Sequence, residues 1–304
     1  MSYSLWGALE SGLLYAFMAL GVYITFRILD FPDLTVDGSF TTGAAIAAVM
    51  ISNGYSPILA TLSGFGGGLV AGACTGLLHT KGKINGLMSG ILMMIALYSI
   101  NMRILNKPNI SIYDMDSIFI SLKPLIIVPI IAIVVLVLLD RFLYSDLGLA
   151  LRATGDNERM IRSFGANTDL TKIVGISLSN GLVALSGALI AQQSSFADIN
   201  GGVGMIVIGL ASVIIGEAVF GARNVIHHTI SVVLGSIIYR IVVALALRVE
   251  WLEASDMKLI TAIIVIIALV LPSTRRVIKQ KKMAKKRSAE ILLVGQKKTM
   301  GGGM

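Results

Sequence analysis

Apolar runs of about 20 residues recur along the chain, each long enough to cross a hydrocarbon core about 30 Å thick at about 1.5 Å of helical rise per residue. No other feature constrains the fold as tightly. In lipid, every backbone N–H and C=O must find its partner within the segment, so even the β-branched run from Pro124 to Leu143 becomes a helix. Of 304 residues, 55% are hydrophobic and 14% are charged. A soluble domain carries about 25% charged residues, so there is too little polar surface here to wrap a soluble globule. The fold class that follows is an all-α polytopic membrane protein.

The runs suggest about nine spans: residues 5–26, 39–51, 58–78, 84–104, 124–143, 173–194, 203–220, 225–247 and 257–271. Trp6 stands near the start of the first as an interfacial anchor. The N-terminus has no basic region and no small-residue cleavage site, so it reads as the start of that span rather than a signal peptide. Pro32 breaks the segment Arg27–Gly38, which also carries Asp30, Asp33 and Asp37. The second span is short and rich in small residues. The pair reads either as a broken helix near the second span that lines a cavity or as an ordinary solvated turn. In the third span Gly64, Gly68, Gly72 and Gly76 recur every four residues, so one face lets a neighbouring backbone approach closely. The same stretch lacks the strand before it and the Lys-Ser/Thr after it that a nucleotide loop needs.

Basic residues cluster in His79–Lys83, Arg152–Lys172, Arg223 and the stretch after Pro272; the loops between are neutral or acidic. This bias places those four regions in the cytosol and the N-terminus outside. The division is a membrane domain, residues 1–272, and a basic cytosolic tail, residues 273–304. Eight Lys/Arg lie between Arg275 and Arg287; they either rest on an anionic leaflet or serve as a topology signal alone. The net charge of +8 owes much to this tail, and no basic stripe interleaved with aromatics points to nucleic acid.

Residues 147–172 form the longest mixed polar segment between two spans. Gly148–Ala153 suits one short helix, Gly155-Asp156-Asn157 interrupts it, and Asp156 is the expected N-cap of a second. Glu158 falls in the first turn of that second helix, where its charge suits the dipole. Met160, Ile161 and Phe164 make an apolar face between Arg159 and Arg162, Gly165 is the C-terminal stop, and Asn167 or Thr168 caps the next helix. Such an amphipathic helix either inserts into a groove of a partner or lies on lipid.

Ionisable groups inside spans are costly and often functional. Glu217 is expected to pair with Arg223 or reach the interface. Arg240 is expected to pair with Asp33 or Asp37, or to snorkel outward. Asn180, Gln192 and Gln193 are cavity or interhelical hydrogen-bonding groups. Asp33, Asp37, Asn180 and Arg240 are the candidates to line a solute pathway. Cys74 alone excludes an intramolecular disulfide and a cysteine metal cluster. The histidines His79, His227 and His228 have no ligands at metal spacing, and no catalytic or Walker motif occurs. The chain is therefore expected to be no enzyme and to hold no cofactor or metal.

The run GLALRATGDN, then FGANTDLTK, then SNGLVALSGALIA resembles the permeases of ABC importers for branched-chain amino acids and, more broadly, for ribose and nucleosides. Gly148, Ala150, Arg152, Ala153, Gly155, Asn157 and Gly165 match the pattern. The resemblance extends over about residues 13–272. Family members often have paired Ala where Met160 and Ile161 stand, which suggests a different ATPase partner. The run GLASVIIGEAVFG, Gly209 to Gly221, resembles a subgroup assigned to tryptophan/tyrosine or other aromatic amino acids.

The resemblance implies a type II importer-like helical bundle in a bacterial plasma (inner) membrane, working as a homodimer. Separate ATP-binding cassette subunits would bind ATP and Mg, and an external binding protein or lipoprotein would deliver a small organic solute, an amino acid and, by the Gly209–Gly221 run, an aromatic one. Residues 147–172 would be the coupling segment, with Arg152, Asp156, Asn157, Met160, Ile161, Phe164 and Gly165 at the ATPase interface. The alternative is an ion-coupled secondary transporter without an ATPase. It would need coupling-ion groups at the midplane and usually repeated halves; Asp33 and Asp37 are the features that favour it.

Overall fold

The computed structural model describes residues 2–246, apart from 114, 122, 123 and 222, together with Leu259, Ala262, Ile263 and Ile266. The elements in chain order are α1 (Ser2–Val22), prolonged by a π-helical turn (Tyr23–Ile28), α2 (Thr35–Ser52), α3 (Pro57–Thr80), α4 (Gly86–Leu105), β1 (Asn109–Ser111), α5 (Ile118–Ser121), α6 (Pro124–Tyr144), α7 (Asp146–Ser163), α8 (Thr168–Ser194), β2 (Phe196–Asp198), α9 (Met205–Phe220) and α10 (Val225–Ala246).

Helix α8 is the central post, with α1, α2, α3 and α7 packed around it. Small residues set these distances. A methyl group on Gly72 would stand 2.7 Å from the Ser177 Cα and 2.9 Å from the Asn180 Cβ, and one on Gly76 would stand 2.9 Å from the Ile173 Cα. A methyl group on Gly68 would meet Ala184 and Asn180, and one on Gly64 would meet Ala188 and stand 3.0 Å from the Gly43 carbonyl oxygen. The Gly64-Gly68-Gly72-Gly76 face therefore lies on α8, and the descending partner numbers make α3 antiparallel to it. Gly43 of α2 and Gly187 of α8 interlock with Ala184 and Phe40 in the same way.

Hydroxyls tie helices to one another by donating to backbone carbonyls. Ser179 Oγ bonds Gly21 O at 2.7 Å, Ser186 Oγ bonds Leu14 O at 2.8 Å, and Ser236 Oγ bonds Gly12 O at 2.9 Å. Such interhelical bonds contribute about 0.6 kcal/mol each on average in a membrane. They also order the bundle: Gln193 Nε2 donates to Glu10 Oε1 at 2.7 Å, so α1 begins beside the end of α8 and closes beside its start. The beginning of α1 is thus at the end of the bundle away from α7.

Among the described residues six helical stretches are long and apolar enough to span: Trp6–Ile28, Pro57–Thr80, Gly86–Leu105, Ile126–Tyr144, Thr168–Ser194 and Val225–Ala246. Of the nine or so spans expected, these are the first, third, fourth, fifth, sixth and eighth. Helix α9 has 16 residues, about 24 Å at 1.5 Å per residue and short of a 30 Å core. Helix α2 starts level with Asn180, well inside the bundle, so it too covers only part of the depth. The expected ninth span and the basic tail lie outside the described residues, apart from the four positions between 259 and 266.

The break between α1 and α2 spans Leu29 to Leu34, with Asp30 at a φ of 51°. Helix α2 begins at Thr35, four residues before the second span was expected to start. Strands β1 and β2 form a small antiparallel ribbon, Ile110 opposite Ala197, which the all-α expectation did not include. Short polar loops beyond the helix ends can satisfy their backbone groups against each other there, where water competes but lipid does not.

Candidate functional site

Two regions concentrate polar side chains: the α7 segment and the interior around the α1–α2 break. The α7 segment is two helices joined at a kink. Ser145 Oγ caps the first by accepting from Gly148 N at 3.3 Å. Leu151 is buried in one core cluster with Ile28, Leu29, Leu143 and Ile176. Gly155 lies so close to the Ile28 carbonyl that a Cβ could not fit. Thr154 Oγ1 and Thr171 Oγ1 share a hydrogen bond of 3.1 Å. The first half of α7 is therefore docked against α8 and the end of α1.

Asn157 then leaves the helix with φ −159° and ψ 90°, and its Oδ1 accepts from Met160 N at 3.0 Å. Asn157, not Asp156, is the N-cap of the second helix. The two residues stand side by side with equal capping propensity, and the cap falls to the one whose backbone is extended. Asp156 stays in the first helix with its side chain exposed. The second helix closes at Gly165, φ +84°. Gly165 N donates to Arg162 O at 3.0 Å and Ala166 N to Ile161 O at 3.3 Å, the bond pair of a Schellman stop. Asn167 Oδ1 accepts from Leu170 N at 3.1 Å and so starts α8.

A ring of charges fixes this turn. Lys172 Nζ donates to Glu158 Oε2 at 2.8 Å, Arg162 Nη2 reaches Glu158 Oε1 and Asp169 Oδ1 at 3.0 Å each, and Arg162 Nε donates to Thr168 Oγ1 at 2.8 Å. The Lys172 hydrogen bond, helped by the Lys172 and Arg162 charges, lowers the Glu158 carboxyl below its ordinary value of 4.5. The outward side of the held turn is apolar: Phe164 is 79% exposed and Met160 is 49% exposed, with Ile161 half-buried between them. Burying such a pair is worth several kcal/mol that the chain leaves unclaimed on its own.

Arg152 and Asp156 point elsewhere. They line a polar cavity of about 680 Å³ with Arg27, Arg223 and His228. The Arg152 guanidinium sits 5.8 Å from the Tyr144 ring centroid. Glu217 reaches this region by an ion pair with Arg27 at 3.0 Å, a partner that neither expected alternative, Arg223 or the interface, named. Arg27 lies in the last turn of the π-helical stretch that prolongs α1, and that stretch packs on α9, a neighbour that loop order could not reveal.

The interior polar network starts at Asp33, 2% exposed. Its Oδ1 accepts from Thr35 N at 2.9 Å and its Oδ2 from Asn180 Nδ2 at 2.7 Å, while Asn180 Oδ1 accepts from Ser39 Oγ at 2.7 Å. One turn along, the Asp37 carboxylate accepts from Gly204 N at 2.8 Å and Ile206 N at 2.9 Å, and so caps the start of α9 inside the bundle. Both aspartates are therefore engaged, and Arg240 pairs with neither. Its guanidinium lies 3.9 Å from the centroid of Tyr15, whose ring stacks with Phe40. The face of an electron-rich ring holds a cation in a dry setting. Gln192 Nε2 donates to Thr61 Oγ1 at 2.7 Å and joins α8 to α3.

Three features were not visible in the chain order: the Glu158–Lys172 pair, the Asp37 cap and the buried Asn101. The spacing of Glu158 and Arg162 by four signals their own ion pair, whereas Lys172 stands fourteen residues from Glu158 and reaches it only through the fold.

A family model for the branched-chain amino acid transport system, permease component, matches residues 5–270. A tyrosine transport system permease protein of Clostridioides difficile (strain R20291) is 45% identical over 259 residues, covering 85% of this chain and 88% of that one. The ribose import permease protein RbsC of Escherichia coli (strain K12) is 26% identical over 221 residues, covering 70% and 68%. One solved chain, described as an ABC transporter of metal-chelate type in an inward-facing conformation, overlays with a TM-score of 0.48 at 18% identity, over 89% of this chain and 83% of that one.

Proposed function

This chain belongs to the branched-chain amino acid transport system permease family, as the multi-pass membrane subunit of an ABC importer and not an enzyme, and on that premise we propose that it imports an aromatic amino acid such as tyrosine through a homodimer driven at α7. ATP-binding cassette subunits are its partners by family. In the proposed cycle each ATPase subunit receives the Met160-Ile161-Phe164 face of one α7, with Gly165 closing the turn. Closure of the ATPase pair pushes α7, and the rigid contact of Leu151, Thr154 and Gly155 carries the push into α8 and the end of α1. An external binding protein or lipoprotein delivers the solute. The membrane is the bacterial plasma membrane, with α7 on its cytosolic side.

One observation carries this reading: the exposed apolar face of Met160 and Phe164 is held by ion pairs on a turn that is bonded at both ends. A face meant for lipid would not need four charged groups fixed around it. The relative that transports tyrosine supports the solute class. Asp33 and Asp37, the groups that favoured an ion-coupled carrier, each serve as hydrogen-bond acceptors to the protein's own N–H groups.

Gentle purification from native membranes followed by mass spectrometry tests the assembly. Recovery of an ATPase with a Walker motif and of a secreted or lipid-anchored binding protein supports the reading, and the ligand of that binding protein names the solute. Recovery of the chain alone, active in uptake without ATP, overturns it.

A further inference from the structure

A cavity of about 290 Å³ opens between α2, α4 and the loop that precedes α9. It is near the lower end of the size range of small-molecule sites. Asn101 of α4 lines it and is 1% exposed. Its Nδ2 donates to Gly38 O at 3.2 Å. That bond sets the amide orientation, because the flipped amide would place two oxygens against each other. Asn101 Oδ1 is then left buried with no hydrogen-bond partner. An orphaned buried acceptor is costly, and no donor among the described residues relieves this one.

The rest of the lining says what kind of donor. Asp37, the residue before Gly38, also lines the cavity. Each of its oxygens accepts one backbone N–H, which leaves lone pairs on both. Thr41 is committed, donating to Asp37 O at 3.3 Å. The opening is apolar and aromatic, with Ile95 58% exposed and Tyr98 49% exposed. Acceptors and negative charge stand at the floor, and a ring and an aliphatic side chain stand at the rim. No cationic side chain lines the cavity among the described residues.

We propose that this cavity takes the ammonium group of the transported amino acid, with Asn101 Oδ1 and the Asp37 carboxylate as its acceptors and Tyr98 and Ile95 against the solute's side chain. The proposal rests on the import of an amino acid argued above and adds where in the chain, and through which group, the solute is held. The carboxylate of the solute plays no part at this station.

The test is protection of a thiol. Ile95→Cys is placed in the full chain on a Cys74→Ala background, and the assembled permease in membranes is labelled with a maleimide. L-Tyrosine, tyramine and 3-(4-hydroxyphenyl)propanoate are the probes, each at about 1 mM, a range in which a weak station of about −4 kcal/mol is half filled. Tyrosine and tyramine are expected to slow labelling about twofold, and the propanoate, which lacks the amine, to leave the rate unchanged. Adding Asn101→Leu is expected to remove the protection; Asn101→Ser, which keeps a small acceptor, is expected to restore part of it. Equal protection by all three probes, or by none, overturns the proposal. So does protection that survives Asn101→Leu. Loss of ATP-driven tyrosine uptake in the parent chain would instead count against the import reading, and it is measured separately from labelling.

Discussion

Truncating Phe164 to Ala isolates what the α7 turn does. The side chain is 79% exposed, so it contributes little to the fold of this chain. Full burial of a Phe is worth about 1.5–3 kcal/mol. Four fifths of that is about 2 kcal/mol, and at 1.4 kcal/mol per tenfold it is about 30-fold in affinity for whatever covers the ring. The Schellman stop is made by backbone groups of Arg162, Ile161, Gly165 and Ala166, so it survives the change. The melting midpoint of the purified chain is therefore expected to stay within the roughly 0.5 kcal/mol of a neutral surface substitution. The assay is titration of a labelled ATPase subunit onto the permease in nanodiscs, with the ATPase rate followed in parallel. Affinity is expected to fall about 30-fold per interface and transport to fall with it. An affinity within about twofold of the parent, with normal transport, would refute the assignment of this face to the ATPase.

Further outcomes follow from the packing. Gly72→Leu places side-chain atoms against the Ile176 carbonyl, Ser177 and Asn180; it is expected to destabilise the bundle by about 1–3 kcal/mol, seen as a lower melting temperature in detergent. Gly165→Val puts a β-branched residue at a φ of +84° and is expected to cost at least about 1 kcal/mol by the same measure, and to weaken ATPase binding because the turn bearing Phe164 reshapes. The Glu158 pair sets a pH response. Its folded value lies below the ordinary 4.5, so its contribution is present above that value and is lost as pH falls through the lower, folded one. The difference in melting temperature between the parent and Glu158→Gln is therefore expected to be constant from neutral pH down to about 5 and to shrink below that.

Much of this architecture is written in local pattern. The four-residue spacing of Gly64, Gly68, Gly72 and Gly76 is a one-helix property, and a face without side chains has few uses other than close approach. Gly165 and Asn167 act within a turn of themselves, so their roles follow from residue type. What was harder involves choices between equals or partners far apart in the chain. Asp156 and Asn157 cap equally well, and only the backbone decides between them. Glu217 had a basic neighbour in Arg223, but the ion pair is with Arg27, which the fold brings alongside. Arg240 was expected to seek a carboxylate, whereas both candidates were already engaged and the Tyr15 ring took their place. Helix α9 was expected from residue 203 and begins at Met205. Its start is set by Asp37, more than 160 residues earlier in the chain. Asn101 carried no signal at all: one Asn in an apolar helix says nothing of which of its atoms will lack a partner.

The most direct test of the account is uptake into proteoliposomes that contain this chain with its co-purified ATPase and binding protein. Labelled L-tyrosine is supplied outside, ATP is enclosed or omitted, and ionophores collapse every ion gradient. The account predicts accumulation that requires ATP, persists with ionophores and disappears with Phe164→Asp. Accumulation that needs an ion gradient and proceeds without ATP or the ATPase would contradict it.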